Sequence, residues 1–116
     1  MSDIQQMTNA VKKFRDERDW KKLHDPKELA IGMSIEVAEV LELFRYKTNA
    51  ESIVYAKSHL EDVSDELVDV LYHVLLIADD LGINLHGAVM KKLEKTAKKY
   101  PIEKARGNNT KYTDYE

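Results

Sequence analysis

The sequence predicts an all-α fold of the four-helix-bundle type. Glycine and proline, which interrupt helices, number only 4 and 2 in a chain of 116 residues. Apolar residues also recur at intervals of three and four along most of the chain, which is the period of one helix face. A hydrophobic fraction of 43% suits one globular domain over residues 1–116, with an irregular tail at 101–116.

The first two predicted helices occupy the N-terminal part of the chain. The first covers about residues 4–20, where one helix face would hold Ile4, Met7, Val11 and Phe14. The second begins at "DPKE", in which Asp25 can cap the helix, Pro26 takes its first position and Glu28 completes a capping box. We expect this second helix to extend to about residue 46.

The third predicted helix is the longest. It begins after "TNAE" (48–51), which has the pattern of an N-terminal cap. It ends near residue 81, because Gly82 supplies a C-terminal stop. The stretch "SHLE" (58–61) offers a second capping box, so this helix can break near Ser58.

A fourth helix is predicted from its cap at Asn84 to a point before Pro101. Charge changes sign along the chain: residues 28–80 hold twelve acids and three bases, whereas residues 91–111 hold eight bases and two acids. Attraction between two solvated faces of a bundle is the simpler interpretation of this pattern. A cation site beside an anion site is the alternative.

Composition argues against several classes of function. The chain has no cysteine, which removes disulfides, thiolate metal sites and cysteine nucleophiles. No segment is long and apolar enough for a signal peptide or a membrane span, so we expect a cytoplasmic protein with no membrane partner. A net charge of −3 and a short basic patch argue against a nucleic-acid partner.

The second predicted helix carries acids where burial is expected. In "SIEVAEVLELF" (34–44), helical phase places Glu36 inside an apolar sector and Glu39 at its edge. Glu42 is rotated away and reads as a surface charge. Burying a lone carboxylate is costly even after relaxation, so Glu36 must be neutralised, paired with a base or bound to a cation.

A second acidic pair lies on the third predicted helix, where Glu66 and Asp69 of "ELVD" share a face with His73. Two such faces packed together would bring four carboxylates into one place, which opposes folding unless hard divalent cations bind. Mg²⁺ takes oxygen ligands and is usually shared with substrate phosphates. Ordinary exposed acids remain the competing interpretation. A di-iron site is disfavoured, because no histidine follows a glutamate at a distance of three residues.

These acids and their surroundings resemble the MazG-like nucleoside triphosphate pyrophosphohydrolases. The order "EVAE" then "ELVD" is similar to the E-x-x-E and E-x-x-D signature of that family. The segments "RDWKKLHDPKELAIGMSIEVAEVLELFRYK", "DELVDVLYHVLLIADDLGI", "KYP" and "ARGNNTKYT" extend the resemblance over most of the chain. Together they are most similar to the dCTP pyrophosphatase branch of the family.

The resemblance implies a Mg²⁺-dependent hydrolase, with Mn²⁺ able to replace Mg²⁺. The reaction would convert a (d)NTP, preferably a dCTP-like pyrimidine, to (d)NMP and pyrophosphate in clearing unwanted nucleotides. The paired acids would be both catalytic residues and metal ligands, namely Glu36, Glu39, Glu66 and Asp69. Further residues would contact the nucleotide, namely Trp20, Tyr46, His73, Lys92, Thr96, Arg106 and Lys111. Among these, Trp20 would hold the base, and Lys92 with Arg106 and Lys111 would reach the β- and γ-phosphates.

Three positions of this set depart from the branch. The family often has an aromatic residue such as tryptophan at the position of Tyr46, tyrosine at that of His73 and asparagine at that of Thr96. Because these positions line the nucleotide, the departures bear on base preference and leave the hydrolytic acids unchanged. His73 either contacts the nucleotide or hydrogen-bonds an acid.

One bundle of this size encloses little volume, and the second predicted helix is apolar on nearly all sides. We therefore expect a homo-oligomer, and the resemblance implies a tetramer assembled as a dimer of dimers. The alternative function is a non-catalytic helical module whose oligomeric surface binds a protein. Four converging carboxylates argue against that module, because protein binding alone does not need them.

Overall fold

The computed structural model describes residues 1–116, which form helices and no strands. The predicted all-α fold is therefore confirmed. The chain divides into two compact units, Met1–Ile83 and Asn84–Glu116. None of its helices has both the length and the apolar character that crossing a bilayer requires.

The first helix, α1 (Asp3–Glu17), is shorter at its C-terminal end than predicted. Asp19 adopts the left-handed conformation with φ of 54°, and the Trp20 amide donates to the carbonyl of Arg15 over 3.2 Å. This pattern closes the last turn and ends the helix. Trp20 therefore leaves α1 and precedes a short 3₁₀ turn at Lys21–Leu23.

Helix α2 (Pro26–Phe44) begins at the predicted cap. The Asp25 carboxylate accepts a hydrogen bond from the Glu28 amide over 3.0 Å, and Pro26 occupies the first turn. Half of the predicted capping box is present: the Glu28 carboxylate lies 3.3 Å from the Lys27 ammonium and makes no return bond to the cap. The helix ends two residues before the predicted position 46, because the chain is extended at residue 45, where ψ is 151°.

The third predicted helix is two helices, α3 (Asn49–Ser58) and α4 (Leu60–Asp80). Thr48 and Glu51 form a complete capping box at the start of α3, as predicted. The break falls at His59, close to the predicted place, but the second capping box is absent. The Ser58 hydroxyl instead donates within α3 to backbone carbonyls at 3.0 and 3.1 Å, so it does not cap α4.

The end of α4 follows the prediction. Gly82 has φ of 68°, a conformation that glycine adopts without steric cost. Its amide donates to the Asp79 carbonyl over 3.1 Å, and the Ile83 amide donates to the Ala78 carbonyl over 2.8 Å. These two bonds satisfy carbonyls that the helix end would otherwise leave unpaired.

The core of the first unit lies where α2 packs against α4, and α1 also packs against α4. Only four apolar side chains are buried, namely Leu29, Leu75, Leu76 and Ala78. Helical phase predicts an apolar stripe on α4, namely Val63, Leu67, Val70, Val74, Ala78 and Leu81. Ala78 is buried and the three valines are half-buried, whereas Leu67 and Leu81 are 53% and 59% exposed, so the stripe is covered in part.

The second unit consists of α5 (Leu85–Lys99), capped by Asn84 as predicted, and the residues that follow it. The tail contains a one-turn helix, α6 (Ile102–Ala105), and a 3₁₀ turn at Tyr112–Asp114. Tyr100 meets Tyr112 and Tyr115 edge to face, with ring centroids 5.6 and 6.0 Å apart. Through these ring contacts the tyrosine cluster (Tyr100, Tyr112, Tyr115) holds the tail against the end of α5.

Candidate functional site

The two acidic pairs converge between α2 and α4. The side-chain oxygens of Glu36, Glu39, Glu66 and Asp69 can all lie within 4.8 Å of one another. Each helix contributes two acids three residues apart, which places both on the face that meets the other helix. We call these four residues the acid cluster.

The members of the acid cluster differ in burial. Glu36 and Glu66 are half-buried, and one carboxylate oxygen of each, Oε2, is buried without a hydrogen-bond partner. Glu39 and Asp69 are exposed, in agreement with the predicted edge position of Glu39. A buried carboxylate oxygen without a donor raises the free energy of the folded chain, so these two oxygens lack a partner that the site requires.

The acid cluster lacks a compensating base, since no lysine or arginine forms a salt bridge with any of its four carboxylates. A hydrogen bond with the Glu39 carboxyl, burial and repulsion from its acidic neighbours raise the pKa of Glu66 to about 7. Burial, followed by the hydrogen bond and charge of Glu39, also raises the pKa of Glu36. The cluster therefore retains a proton near neutral pH unless another cation replaces it.

The donor set of the acid cluster suits a hard divalent cation. All four groups are carboxylates, and oxygen is the ligand that Mg²⁺ and similar ions take in proteins. His73 lies one turn from Asp69, but its Nδ1 is 2.7 Å from the Asp69 carbonyl oxygen and is engaged there. The two buried, unpartnered oxygens of Glu36 and Glu66 are consistent with this fit.

A cavity of about 640 Å³ adjoins the acid cluster in the first unit. Glu36 and Asp69 line the cavity and are also members of the acid cluster, so the cavity adjoins two of the four acids. Much of the remaining wall is aromatic or aliphatic, including Phe14, Trp20, His24, Leu29 and Tyr72. A cavity with flat apolar walls and acids at one side can accept a ligand that has both a planar ring and a cation-binding group.

Trp20 lines this cavity. Its ring stands edge-on to Phe14 with centroids 5.9 Å apart and to His24 at 5.8 Å. It remains 37% exposed, so it is not buried as an ordinary core tryptophan would be. The left-handed turn at Asp19 directs the chain so that Trp20 joins the cavity wall.

His73 also lines the cavity, beside Gly32 of α2. A Cβ added to Gly32 would lie 2.7 Å from His73 Nε2, which is closer than real Cβ contacts. The bare backbone at Gly32 therefore makes room for the imidazole. Reasoning from the sequence missed Gly32, although an isolated glycine inside an apolar helix is a signal of close packing.

Tyr46 lies outside the cavity wall. It follows α2 with φ of 63°, is 91% exposed, and has the Arg45 guanidinium 4.3 Å above its ring. A positive φ is rare for a bulky residue, and no packing within the chain accounts for it here. Glu42, the third acid of α2, pairs with Arg45, which agrees with its expected surface position.

The remaining residues of the expected nucleotide contacts lie in the second unit. Lys92 and Thr96 are one turn apart on α5 and share a face; the lysine is exposed and the threonine half-buried. Arg106 and Lys111 are exposed residues of the tail. The tyrosine cluster anchors the segment that carries them.

Comparison with known proteins identifies the chain's relatives. Residues 31–115 match the model of the MazG-like family. The chain belongs to the MazG-like family. The resemblance inferred from "EVAE" and "ELVD" is thereby confirmed.

Two kinds of MazG-like relative are informative. The dCTP pyrophosphatase 1 of Rattus norvegicus is 36% identical over 103 residues, and that of Homo sapiens is 35% identical over the same length. Each match covers 87% of this chain and 61% of the relative, so the chain spans about three fifths of their length. A pyrophosphatase from Archaeoglobus fulgidus, whose crystal structure has been solved, is 37% identical to this chain in sequence. The two structures superpose with a TM-score of 0.82, and the match covers 87% of this chain and 94% of that chain.

Proposed function

We propose that this MazG-like protein is a nucleotide pyrophosphohydrolase that converts a (d)NTP to (d)NMP and pyrophosphate. The observation that carries the proposal is the acid cluster on the wall of an aromatic-lined cavity of about 640 Å³. A nucleoside in the cavity would extend its phosphates toward the carboxylates. The names of the dCTP pyrophosphatase and archaeal pyrophosphatase relatives support the same reaction.

Glu36, Glu39, Glu66 and Asp69 would hold Mg²⁺, with Mn²⁺ as a substitute, through their carboxylate oxygens. Bound Mg²⁺ supplies positive charge beside the phosphate oxygens, where negative charge develops during hydrolysis. The carboxylates must be deprotonated to act as ligands. One carboxylate of the cluster also accepts a proton from the attacking water as the new bond forms at the α-phosphorus and the bond to the pyrophosphate oxygen breaks.

The cavity would seat the nucleobase. Trp20 offers an aromatic face for stacking, which suits a flat heterocycle. His73 lies on the same wall and offers a polar atom to the base edge. A dCTP-like pyrimidine deoxynucleotide is the preferred substrate in this proposal, with removal of unwanted nucleotides as its role.

Basic residues would bind the β- and γ-phosphates, as the resemblance to the family implies. Lys92, Arg106 and Lys111 are exposed and carry no salt bridge, so their charges are available to a ligand. Thr96, one turn after Lys92, would add a hydroxyl. These four assignments rest on the sequence resemblance to the family.

A homo-oligomer, as a tetramer formed from two dimers, is part of the proposal. Helix α2 leaves several large apolar side chains half-exposed or more, including Ile31 at 51%, Ile35 at 54% and Leu41 at 63%. Groups of exposed apolar side chains mark protein–protein interfaces in many soluble proteins. The exposed and strained Tyr46 would find its nucleotide contact only in the assembled protein.

Incubation with each (d)NTP and Mg²⁺, followed by chromatographic separation of products, tests the proposal. Release of (d)NMP and pyrophosphate is the expected result. Release of orthophosphate alone, or no turnover of any nucleotide, would reject it. Glu36→Gln should abolish turnover and keep the helical circular dichroism, and full activity of that variant would reject the ligand role of Glu36.

A non-catalytic protein-binding module is the second candidate from the sequence, and no feature of the structure favours it. Calorimetry separates the two functions. The hydrolase should bind a non-hydrolysable (d)NTP analogue in a Mg²⁺-dependent manner, whereas a protein-binding module should bind neither the ion nor the analogue.

A further inference from the structure

We propose that Gly32 is a positioning residue, which places His73 so that His73 Nε2 accepts a hydrogen bond from an exocyclic amino group of the nucleobase. The inference rests on the proposed function and assigns a base-reading role to one pair of residues. The observations behind it are the hydrogen bond of His73, the space at Gly32 and the polar groups of the cavity wall.

The hydrogen bond of His73 fixes its tautomer. Nδ1 lies 2.7 Å from the backbone carbonyl oxygen of Asp69. A carbonyl oxygen only accepts, so Nδ1 must carry the proton. In the neutral ring Nε2 then has a free lone pair, and no group of the chain donates to it. His73 therefore presents an acceptor on a residue that lines the cavity.

Gly32 controls where that acceptor lies. A Cβ at this position would meet three atoms of the His73 ring, with Nε2 at 2.7 Å, Cδ2 at 3.1 Å and Cε1 at 3.7 Å. Any side chain at position 32 would therefore displace the imidazole. Glycine within a helix is less favourable than alanine. The close packing of the imidazole explains why the helix has glycine at this position.

The other polar groups of the cavity favour the same kind of ligand. The residues on its wall include no lysine, arginine, asparagine, glutamine, serine or threonine. Glu28 adds a further acceptor, whereas the donors are confined to aromatic side chains such as Trp20 and Tyr72. A base with an amino group can donate to these acceptors. A base with an oxo group at the same place would face them with its own lone pairs.

The test compares dCTP with dUTP, which differ by an amino or an oxo group at C4. Both nucleotides are assayed with Mg²⁺ at pH 8. The wild-type protein should prefer dCTP in kcat/KM by about tenfold or more, the usual value of one well-placed hydrogen bond. His73→Phe, which keeps a flat ring without Nε2, should lower this ratio to within about threefold, chiefly by raising KM for dCTP.

Gly32→Ala should reduce the dCTP-to-dUTP ratio in the same way, although His73 itself is unchanged. Gly87→Ala is the matched control, because a Cβ there meets only Asn84 at 3.7 Å and 3.9 Å, and its ratio should equal that of the wild type. Helical circular dichroism shows whether Gly32→Ala folds. If Gly32→Ala does not fold, the dCTP-to-dUTP ratio of kcat/KM in His73→Phe tests the inference by itself.

The outcomes separate this inference from the proposed function. Hydrolysis of dCTP and dUTP with equal kcat/KM in the wild type would overturn the inference and leave the hydrolase intact. An unchanged preference for dCTP in both His73→Phe and Gly32→Ala would overturn it equally. Failure to hydrolyse any nucleoside triphosphate would instead reject the proposed function, and the inference with it.

Discussion

Arg15 Nη1 lies 3.6 Å from Asp80 Oδ1, and this ion pair joins α1 to α4 with side chains that are 2% and 14% exposed. The Arg15 Nε also pairs with Asp16 over 2.8 Å. A buried guanidinium that loses a partner cannot recover its hydration. Loss of this ion pair should therefore destabilise the packing of α1 against α4.

Asp80→Asn should destabilise the protein by roughly 3 kcal/mol, the lower end for breaking a buried ion pair, because Asp16 still compensates Arg15. Urea unfolding followed by circular dichroism measures this loss. Lys12→Ala is the control, since its pair with Asp79 at 3.3 Å is partly exposed and should contribute less than about 1 kcal/mol. Equal effects of the two substitutions would contradict the special role of Arg15.

Without divalent ions, the stability of the protein should fall as pH rises from about 4.5 to about 7. The pKa of Glu66 is raised from 4.5 to about 7, so between these values the folded chain binds a proton that the unfolded chain has released. The free energy of unfolding therefore decreases through that window. The raised pKa of Glu36 acts in the same direction.

Urea midpoints at several pH values in EDTA measure this dependence. Other carboxylates also titrate near the lower end, so the comparison with Glu66→Gln isolates the effect. That variant should show a shallower decline than the wild type, and a wild-type stability that increases toward pH 7 would argue against the assignment.

Mg²⁺ should raise the melting temperature of the wild type at pH 8 and have little effect on Glu39→Gln. A ligand at 100 times its Kd stabilises a folded protein by about 2.7 kcal/mol, which corresponds to a shift of several degrees for a domain of this size. Glu42→Gln is the matched control, because Glu42 lies on the same helix, pairs with Arg45 and is outside the acid cluster. A shift that survives in Glu39→Gln, or disappears in Glu42→Gln, would exclude the acid cluster as the binding site.

Thr48→Ala should cost about 1 kcal/mol, because the Thr48 hydroxyl caps α3 through the Glu51 amide at 3.1 Å. Ser58→Ala should change the free energy of unfolding by less than about 0.5 kcal/mol, since the Ser58 hydroxyl caps no helix. Urea midpoints provide both values. A larger loss in the free energy of unfolding for Ser58→Ala than for Thr48→Ala would contradict this prediction, and would show that the Ser58 hydroxyl stabilises the break at His59.

Tyr115→Ala should raise KM for the nucleotide by roughly fivefold, the equivalent of about 1 kcal/mol lost in ordering the tail that carries Lys111. The ring of Tyr115 meets Tyr100 edge to face, whereas its hydroxyl is buried without a partner. Tyr115→Phe keeps the ring contact and should leave KM unchanged. Steady-state kinetics distinguishes the two, and equal KM values for both variants and the wild type would remove the tail from substrate binding.

Local sequence signals predicted most of the helix boundaries and the acid cluster. The caps at Asp25, Thr48 and Asn84 depend on side chains that bond to neighbouring amides, so their sequence pattern is sufficient. The convergence of the acids followed from helical phase on two helices that had to pack together. Both inferences use only the period of the helix and the chemistry of individual residues.

Other features depend on contacts that no single stretch encodes. "TNAE" and "SHLE" look alike, yet Ser58 bonds back into α3 and only Thr48 forms a capping box. The fit of His73 against Gly32 requires the register between α2 and α4, which a sequence pattern does not specify. The exposure of Leu67 within the apolar stripe of α4 likewise depends on how α4 packs against α2 and α1.

The shared proton of the acid cluster links two equilibria. Glu66, with its pKa of about 7, carries a proton in a large fraction of molecules at neutral pH. A divalent ion that takes its place must release that proton to the solvent. Metal affinity would then increase with pH until the cluster is fully ionised, so the pH of the surroundings would set how much metal the proposed site retains.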